Sequence, residues 1–162
     1  MSSESSAVNI VRSLEGVYQN FTDEVKKLGS KAGRGKLGTS VVHWIAGSHV
    51  KTQRDVMCDK FFEDITSALK LLDESLQYAD EEETREACDM LADILSATVP
   101  ANSNSTTDLM KRAMLGQLKP YLPKISEGKL LEVKKRIEAA YSRWQRLPVE
   151  QDMLKEIDSY LK

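Results

Sequence analysis

The sequence predicts an all-α protein, a single bundle of about six helices. Three observations lead to this prediction. Apolar residues recur at intervals of three and four along most of the 162-residue chain, as in helices that bury one face. No segment alternates apolar and polar residues over a useful length, as a half-buried strand would. With 41% hydrophobic residues and only four prolines, the chain can build long helices around one core.

The length of the chain predicts one domain over residues 7–162, because chains of this size usually bury a single core. The serine-rich residues 1–6 are predicted to be a disordered N-terminus. Two loops are expected inside the domain, a flexible Gly/Lys loop at 29–39 and a second loop at 97–106, which is dense in residues that favour turns.

The first helix is predicted to carry a narrow apolar seam like that of a coiled coil. Its apolar residues follow the steps 4, 3, 4, 3, 4, 3 and are Ala7, Val11, Leu14, Tyr18, Phe21, Val25 and Leu28. Such a seam either packs on the rest of the domain or pairs with another chain. Our hypothesis is a partner-binding surface, made by Leu14, Tyr18, Phe21 and Val25.

The stretch GSKAGRGKLGTS, residues 29–40, resembles a phosphate-binding loop only superficially. In the Walker A pattern, Ser30 stands where the first glycine belongs and Leu37 stands where a hydroxyl should follow the lysine. The spacing of Gly33, Gly35 and Gly38 matches the dinucleotide pattern, but no strand precedes it. We therefore interpret the stretch as a connection between helices.

The following segments also read as helices. Ser40 is a candidate cap for a short helix near 40–47, and a long helix is expected near 50–79. Asp80 is a candidate N-cap for the next helix, with Glu83 three residues later in the spacing of a capping box.

In the last third of the chain, a helix is predicted to begin at Thr106 or Thr107, and Pro120 and Pro123 are expected to end or kink it. Ser126 opens another helix, whose apolar stripe includes Trp144 and continues as far as Leu147. A short helix follows Pro148.

Charge is segregated along the chain although the total is only −2. Residues 26–54 carry seven cations and no acid, residues 55–108 have a net charge of −11, and residues 109–148 have a net charge of +7. Two interpretations are open. The blocks either neutralise one another within the fold or face outward and steer a charged partner.

The first basic block is our candidate anion-binding patch, and its cations are Lys26, Lys27, Lys31, Arg34, Lys36, Lys51 and Arg54. Binding of RNA, DNA or an acidic membrane surface through blocks 26–54 and 111–146 is the alternative function. The tryptophans do not favour stacking on bases, because Trp44 and Trp144 both lie on apolar stripes and are expected in the core.

No catalytic or metal-binding pattern stands out. His43 and His49 are six residues apart, about 240° around a helix, and cannot share a metal from one face. Cys58 and Cys88 are expected to be free thiols rather than a disulfide or a nucleophile. We therefore predict no enzyme activity, no cofactor and no metal site.

The sequence thus favours a non-enzymatic protein–protein interaction module that binds another protein or itself. No stretch is long and apolar enough for a transmembrane segment, since the longest, VVHWIAGSHV, has ten residues. A cytoplasmic location is expected, with the nucleus as the alternative.

Overall fold

The computed structural model describes residues 6–46, 53–99 and 105–161; of residues 28–46, 54 and 106 it describes the backbone. These residues contain six α-helices, one 3-10 helix and no β-strand, which confirms the predicted all-α bundle. The α-helices are α1 (Ser6–Ala46), α2 (Gln53–Leu76), α3 (Glu81–Leu95), α4 (Thr106–Ala113), α5 (Glu127–Ala140) and α6 (Pro148–Tyr160). The 3-10 helix, Met114–Lys124, joins α4 to the turn before α5.

The backbone of α1 runs without a break for 41 residues. The structure therefore differs from the predicted loop at 29–39, and the short helix expected near 40–47 is the continuation of α1. Glycine costs about 1 kcal/mol relative to alanine in a helix but keeps its backbone N–H available for hydrogen bonding. Proline, which would remove that donor, does not occur in α1. Of the predicted disordered N-terminus, only Ser6 is described, and it begins α1.

The core begins where α1 packs on α2 and α3. Phe61 of α2 stacks on Phe21 with ring centroids 4.1 Å apart, and Tyr18 meets the same ring edge-on at 5.0 Å. Such aromatic pairs add to the stabilisation from apolar burial. Five methionines belong to this core: Met114 and Met153 are buried, and Met57, Met90 and Met110 pack against it.

Side chains cap three helices at their N-termini. Asp80 accepts the backbone N–H of Glu83 at 2.8 Å, which confirms the predicted start of α3. Ser126 caps α5, and Ser105 caps α4, which begins at Thr106. Residues 97–99 and 105 are outside helices, whereas residues 100–104 of the predicted second loop lie outside the described residues.

Pro120 and Pro123 lie in the 3-10 helix, where the sequence predicted an end or a kink. This tighter helix follows α4 directly and packs against α3 and α6. Its close approach to α6 depends on Gly116, because a Cβ at that position would lie 2.8 Å from Cγ2 of Val149. Within the described ranges, no helix is long and apolar enough to cross a lipid bilayer.

Candidate functional site

The apolar seam of α1 lies inside the bundle. Leu14 is completely buried and Phe21 is 5% exposed, while Tyr18 and Val25 are partly buried and pack against the same core. Helices α2 and α3 cover the seam, so these residues are not free to contact another chain unless the bundle opens. The heptad spacing of the seam therefore reflects packing of α1 against other helices of the same chain.

The first basic block is described only in part. Lys26 and Lys27 are exposed on α1. Four other cations of the candidate patch lie where only the helical backbone is described: Lys31, Arg34, Lys36 and Arg54. Lys51 lies outside the described residues.

Half of the cations in the second basic block are paired with acids of the same chain. Five of the ten cations between 109 and 148 form ion pairs, and they are Arg112, Lys119, Lys129, Lys134 and Arg136. Their partners are Asp93 on α3, Glu132 on α5 and four acids of α6: Glu150, Asp152, Glu156 and Asp158. Of these acids only Asp93 belongs to the acidic block 55–108, so most of the neutralisation comes from the C-terminal helix.

The α3–α5 contact shows how this pairing works. Asp93 of α3 lies between Lys129 at 3.0 Å and Arg136 at 2.9 Å, and Glu132 of α5 also pairs with Lys129. Hydrogen bonds to Glu132 and Asp93 raise the pKa of Lys129, so the ammonium stays charged throughout the physiological range. Lys129 and Arg136 therefore join α5 to α3 through their ion pairs with Asp93.

Trp144 lies on the surface with 91% of its area exposed, contrary to the expectation that it is a core residue. Helix α5 ends at Ala140, and Tyr141 adopts an extended conformation with φ −132° and ψ 125°. The helical register therefore stops before it reaches Trp144, and Tyr141 is buried instead, at 2% exposure. Pro148 favours extended geometry only at the residue before it, Leu147, and does not account for the end of α5 at Ala140.

Contacts of Tyr141 hold the start of the α5–α6 connection. Its hydroxyl donates to the carbonyl oxygen of Val99 at 2.9 Å and accepts the Val99 N–H at 3.1 Å. The guanidinium of Arg112 lies 3.9 Å from the centre of the Tyr141 ring. Nε of Arg146 donates to the Tyr141 carbonyl oxygen at 3.0 Å, which turns the chain back toward α6.

Arg112 and Glu150 form a buried ion pair beneath this connection. Their side chains are 6% and 3% exposed and make two hydrogen bonds, at 2.6 and 3.2 Å. Arg112 also donates to the carbonyl oxygen of Gln145 at 2.7 Å, and Glu150 accepts the Leu147 N–H at 2.8 Å. The pair thus fixes both the connection and the first turn of α6.

The exposed part of the connection is a compact cationic and aromatic surface. We call Arg143, Trp144 and Arg146 the basic corner. The guanidinium of Arg143 lies 6.0 Å from the centre of the Trp144 ring, and Arg143 is exposed. Arg146 is half-buried, and its Nε is the donor to the Tyr141 carbonyl oxygen. In the described residues neither arginine forms an ion pair, so their charges remain available to a partner.

The described side chains offer little for catalysis. Among them, no three His, Cys, Asp or Glu residues come together as a metal site. Burial raises the pKa of the Cys88 thiol to about 11, so it is protonated at neutral pH and a poor nucleophile. Cys58 is half-buried and Cys88 fully buried, and neither is in a disulfide. His43 lies where only backbone is described, and His49 lies outside the described residues.

An open groove of about 440 Å³ separates α1 from the end of α3, and Tyr18, Ile94 and Lys111 are among its lining residues. The Tyr18 hydroxyl is buried and has no hydrogen-bond partner in the described part of the chain. Burial raises the pKa of this phenol far above its usual range, so it stays neutral. Two carboxylates, Glu15 and Asp93, also line this groove, and Asp93 is already paired with Lys129 and Arg136.

Comparison with known proteins identifies no relative: no family model, no curated protein and no solved structure matches the chain.

Proposed function

We propose that this protein is a non-enzymatic protein–protein interaction module, which binds an acidic surface of a protein partner through the basic corner. The observation that carries the proposal is the exposure of Trp144, at 91%, between two arginines. Tryptophan and arginine are the residue types that most often dominate the binding energy of protein interfaces.

The anchoring of the connection favours binding at this surface. Tyr141, Arg112 and Glu150 hold its backbone by hydrogen bonds on both sides of the basic corner. A surface that is already ordered loses less conformational entropy when a partner docks. Trp144 can then bury its indole without a rearrangement of the loop.

Charge favours an acidic partner. The guanidinium of Arg143 lies 6.0 Å from the indole and Arg146 follows in the same connection, whereas much of the remaining basic block is paired within the chain. Guanidinium groups recognise carboxylates through paired hydrogen bonds and are weakly hydrated, so they suit interfaces with acidic proteins. In the described part of the chain, the pairing of Arg112, Lys119, Lys129, Lys134 and Arg136 leaves fewer cations of the second basic block for the alternative, nucleic-acid or anionic-lipid binding.

A non-enzymatic role agrees with the state of the nucleophiles, since the Cys88 thiol is protonated and buried. Neither described cysteine forms a disulfide, which suits a reducing compartment, and we propose a cytoplasmic location, with the nucleus as the alternative.

The test uses the fluorescence of Trp144 in a Trp44→Phe background, with poly-L-glutamate as the probe of an acidic polypeptide surface. We expect a salt-sensitive change in emission that is weakened about tenfold by Arg143→Glu. Lys155→Glu, at an exposed position of α6, is the charge-matched control and should bind as the parent does.

Single-stranded oligonucleotides and phosphatidylserine vesicles serve as competing probes at the same salt concentration. Tighter binding to either would replace the proposal by the corresponding alternative. No response to poly-L-glutamate at low salt would overturn it.

A further inference from the structure

The basic corner lies at one end of the bundle, because α3 and α5 run in the same direction. Ser126, at the start of α5, hydrogen-bonds to Asp89 of α3 at 2.8 Å. At the other end, Tyr141 hydrogen-bonds to Val99 beyond the C-terminus of α3. Trp144 therefore lies past the end of α3, and the α2–α3 turn lies at the opposite end.

The opposite end also exposes a large aromatic residue, but among acids. Tyr78 is 90% exposed in the α2–α3 turn, and Leu71 is 55% exposed in the last turns of α2. We call this surface, with its exposed carboxylates, the acidic end; its residues are Leu71, Glu74, Tyr78, Asp80, Glu81 and Glu82.

Not all of these carboxylates are free. Glu81 pairs with Arg85 at 3.5 Å, and Asp80 caps α3. Glu74 and Glu82 are exposed and form no ion pair within the described ranges. These two carboxylates are therefore available to a cation from outside the molecule.

The two ends cannot meet within one molecule. The 15 residues of α3 separate them, a length of about 22 Å along the helix axis. This distance exceeds the reach of an arginine or tryptophan side chain. Any contact between the two surfaces needs a second molecule.

We propose that the partner of the basic corner is the acidic end of a second copy of this chain. Trp144 packs against Tyr78 and Leu71, while Arg143 and Arg146 approach Glu74 and Glu82. The inference rests on the proposed function of the basic corner and names its partner. Charge complementarity carries it, because each surface places one almost fully exposed aromatic ring beside charges of opposite sign.

The arrangement of the two surfaces favours a closed pair. Because they lie at opposite ends of α3, two copies aligned antiparallel form the contact twice, in the two-fold symmetry that is commonest among oligomers. The net charge of −2 leaves little overall repulsion between copies. We expect a weak dimer that dissociates as salt is raised.

Sedimentation velocity of the full chain tests the proposal through charge reversal at each end. The wild type should be a dimer at high protein concentration and low salt. Arg143→Glu and Glu82→Lys should each weaken dimerisation about tenfold or more when studied alone. An equimolar mixture of the two variants should dimerise again, because both contacts then join opposite charges.

Two controls separate this contact from general charge effects. Lys155→Glu and Glu24→Lys make the same charge changes at other exposed positions and should leave the dimer intact. Circular dichroism of every variant checks that the helices are retained.

Three results would overturn the proposal: a wild type that is monomeric at low salt, a dimer that persists in both reversal variants, or a mixture that stays monomeric. A monomeric wild type whose Trp144 still responds to poly-L-glutamate would refute self-association alone and retain the proposed function.

Discussion

Glu150→Ala tests the buried ion pair that supports the basic corner. The substitution removes the carboxylate that makes two hydrogen bonds to Arg112, in a place where both side chains are almost completely buried. The Arg112 guanidinium then still donates to the Gln145 carbonyl oxygen and lies over the Tyr141 ring, but no carboxylate balances its charge. The Leu147 N–H at the start of α6 also loses its acceptor.

The magnitude follows from these two losses. Removing one partner of a buried ion pair costs about 3–5 kcal/mol, because an uncompensated charge stays in the interior. The lost hydrogen bond at the start of α6 adds about 1 kcal/mol. We therefore expect the free energy of unfolding to fall by about 4–6 kcal/mol, a large part of the stability of a typical domain.

Guanidinium denaturation followed by far-UV circular dichroism measures this change. Glu156→Ala is the control on the same helix, since its carboxylate pairs with Lys119 at the surface and should contribute less than about 1 kcal/mol. The double variant Arg112→Met/Glu150→Leu should be more stable than Glu150→Ala, because it leaves no buried charge. A loss in Glu150→Ala no larger than in Glu156→Ala would refute the reasoning.

Three further predictions follow from particular contacts. Tyr18→Phe should leave the free energy of unfolding unchanged or raise it by up to about 1 kcal/mol, because the buried hydroxyl has no hydrogen-bond partner among the described residues. A decrease of more than about 1 kcal/mol, measured by urea denaturation, would show that the hydroxyl does have a hydrogen-bond partner. Asp80→Ala should lower the free energy of unfolding by about 1 kcal/mol, because α3 loses its N-cap, whereas Asp80→Ser should retain most of the wild-type stability. Equal stability of the two variants would contradict the capping role of Asp80. Iodoacetamide should label Cys88 about 100-fold more slowly in the native protein than in denaturant at neutral pH, because a pKa of about 11 keeps the native thiol protonated. Equal labelling rates in the two states, measured by mass spectrometry, would refute this prediction.

Helix starts were predictable wherever the signal was local. Asp80 and Ser126 both cap the helices expected to follow them, because capping depends on residues only three positions apart. The α1 backbone shows the limit of such signals. Four glycines between 29 and 38 weaken a helix without forbidding it, so helix and loop differ by only a few kcal/mol there.

The sequence did not predict the exposure of Trp144, because the exposure of a side chain depends on residues that are distant along the chain. Trp144 continues an apolar spacing along α5, but the helix ends four residues earlier and Tyr141 takes the buried position. The seam residue Leu14 has the spacing of a coiled coil, yet it is completely buried within the bundle. Periodicity shows that a stripe will be covered without showing which element covers it.

The sequence by itself determined that the chain forms helices, and approximately where several of them begin. Backbone hydrogen bonds of a helix join residues four apart, so neighbours along the chain decide its formation. Only the tertiary structure decided that the α1 seam is covered, that Arg112 and Glu150 neutralise each other and that Trp144 remains exposed. Those outcomes depend on contacts such as Arg112–Glu150, whose partners are 38 residues apart, and no local pattern specifies them.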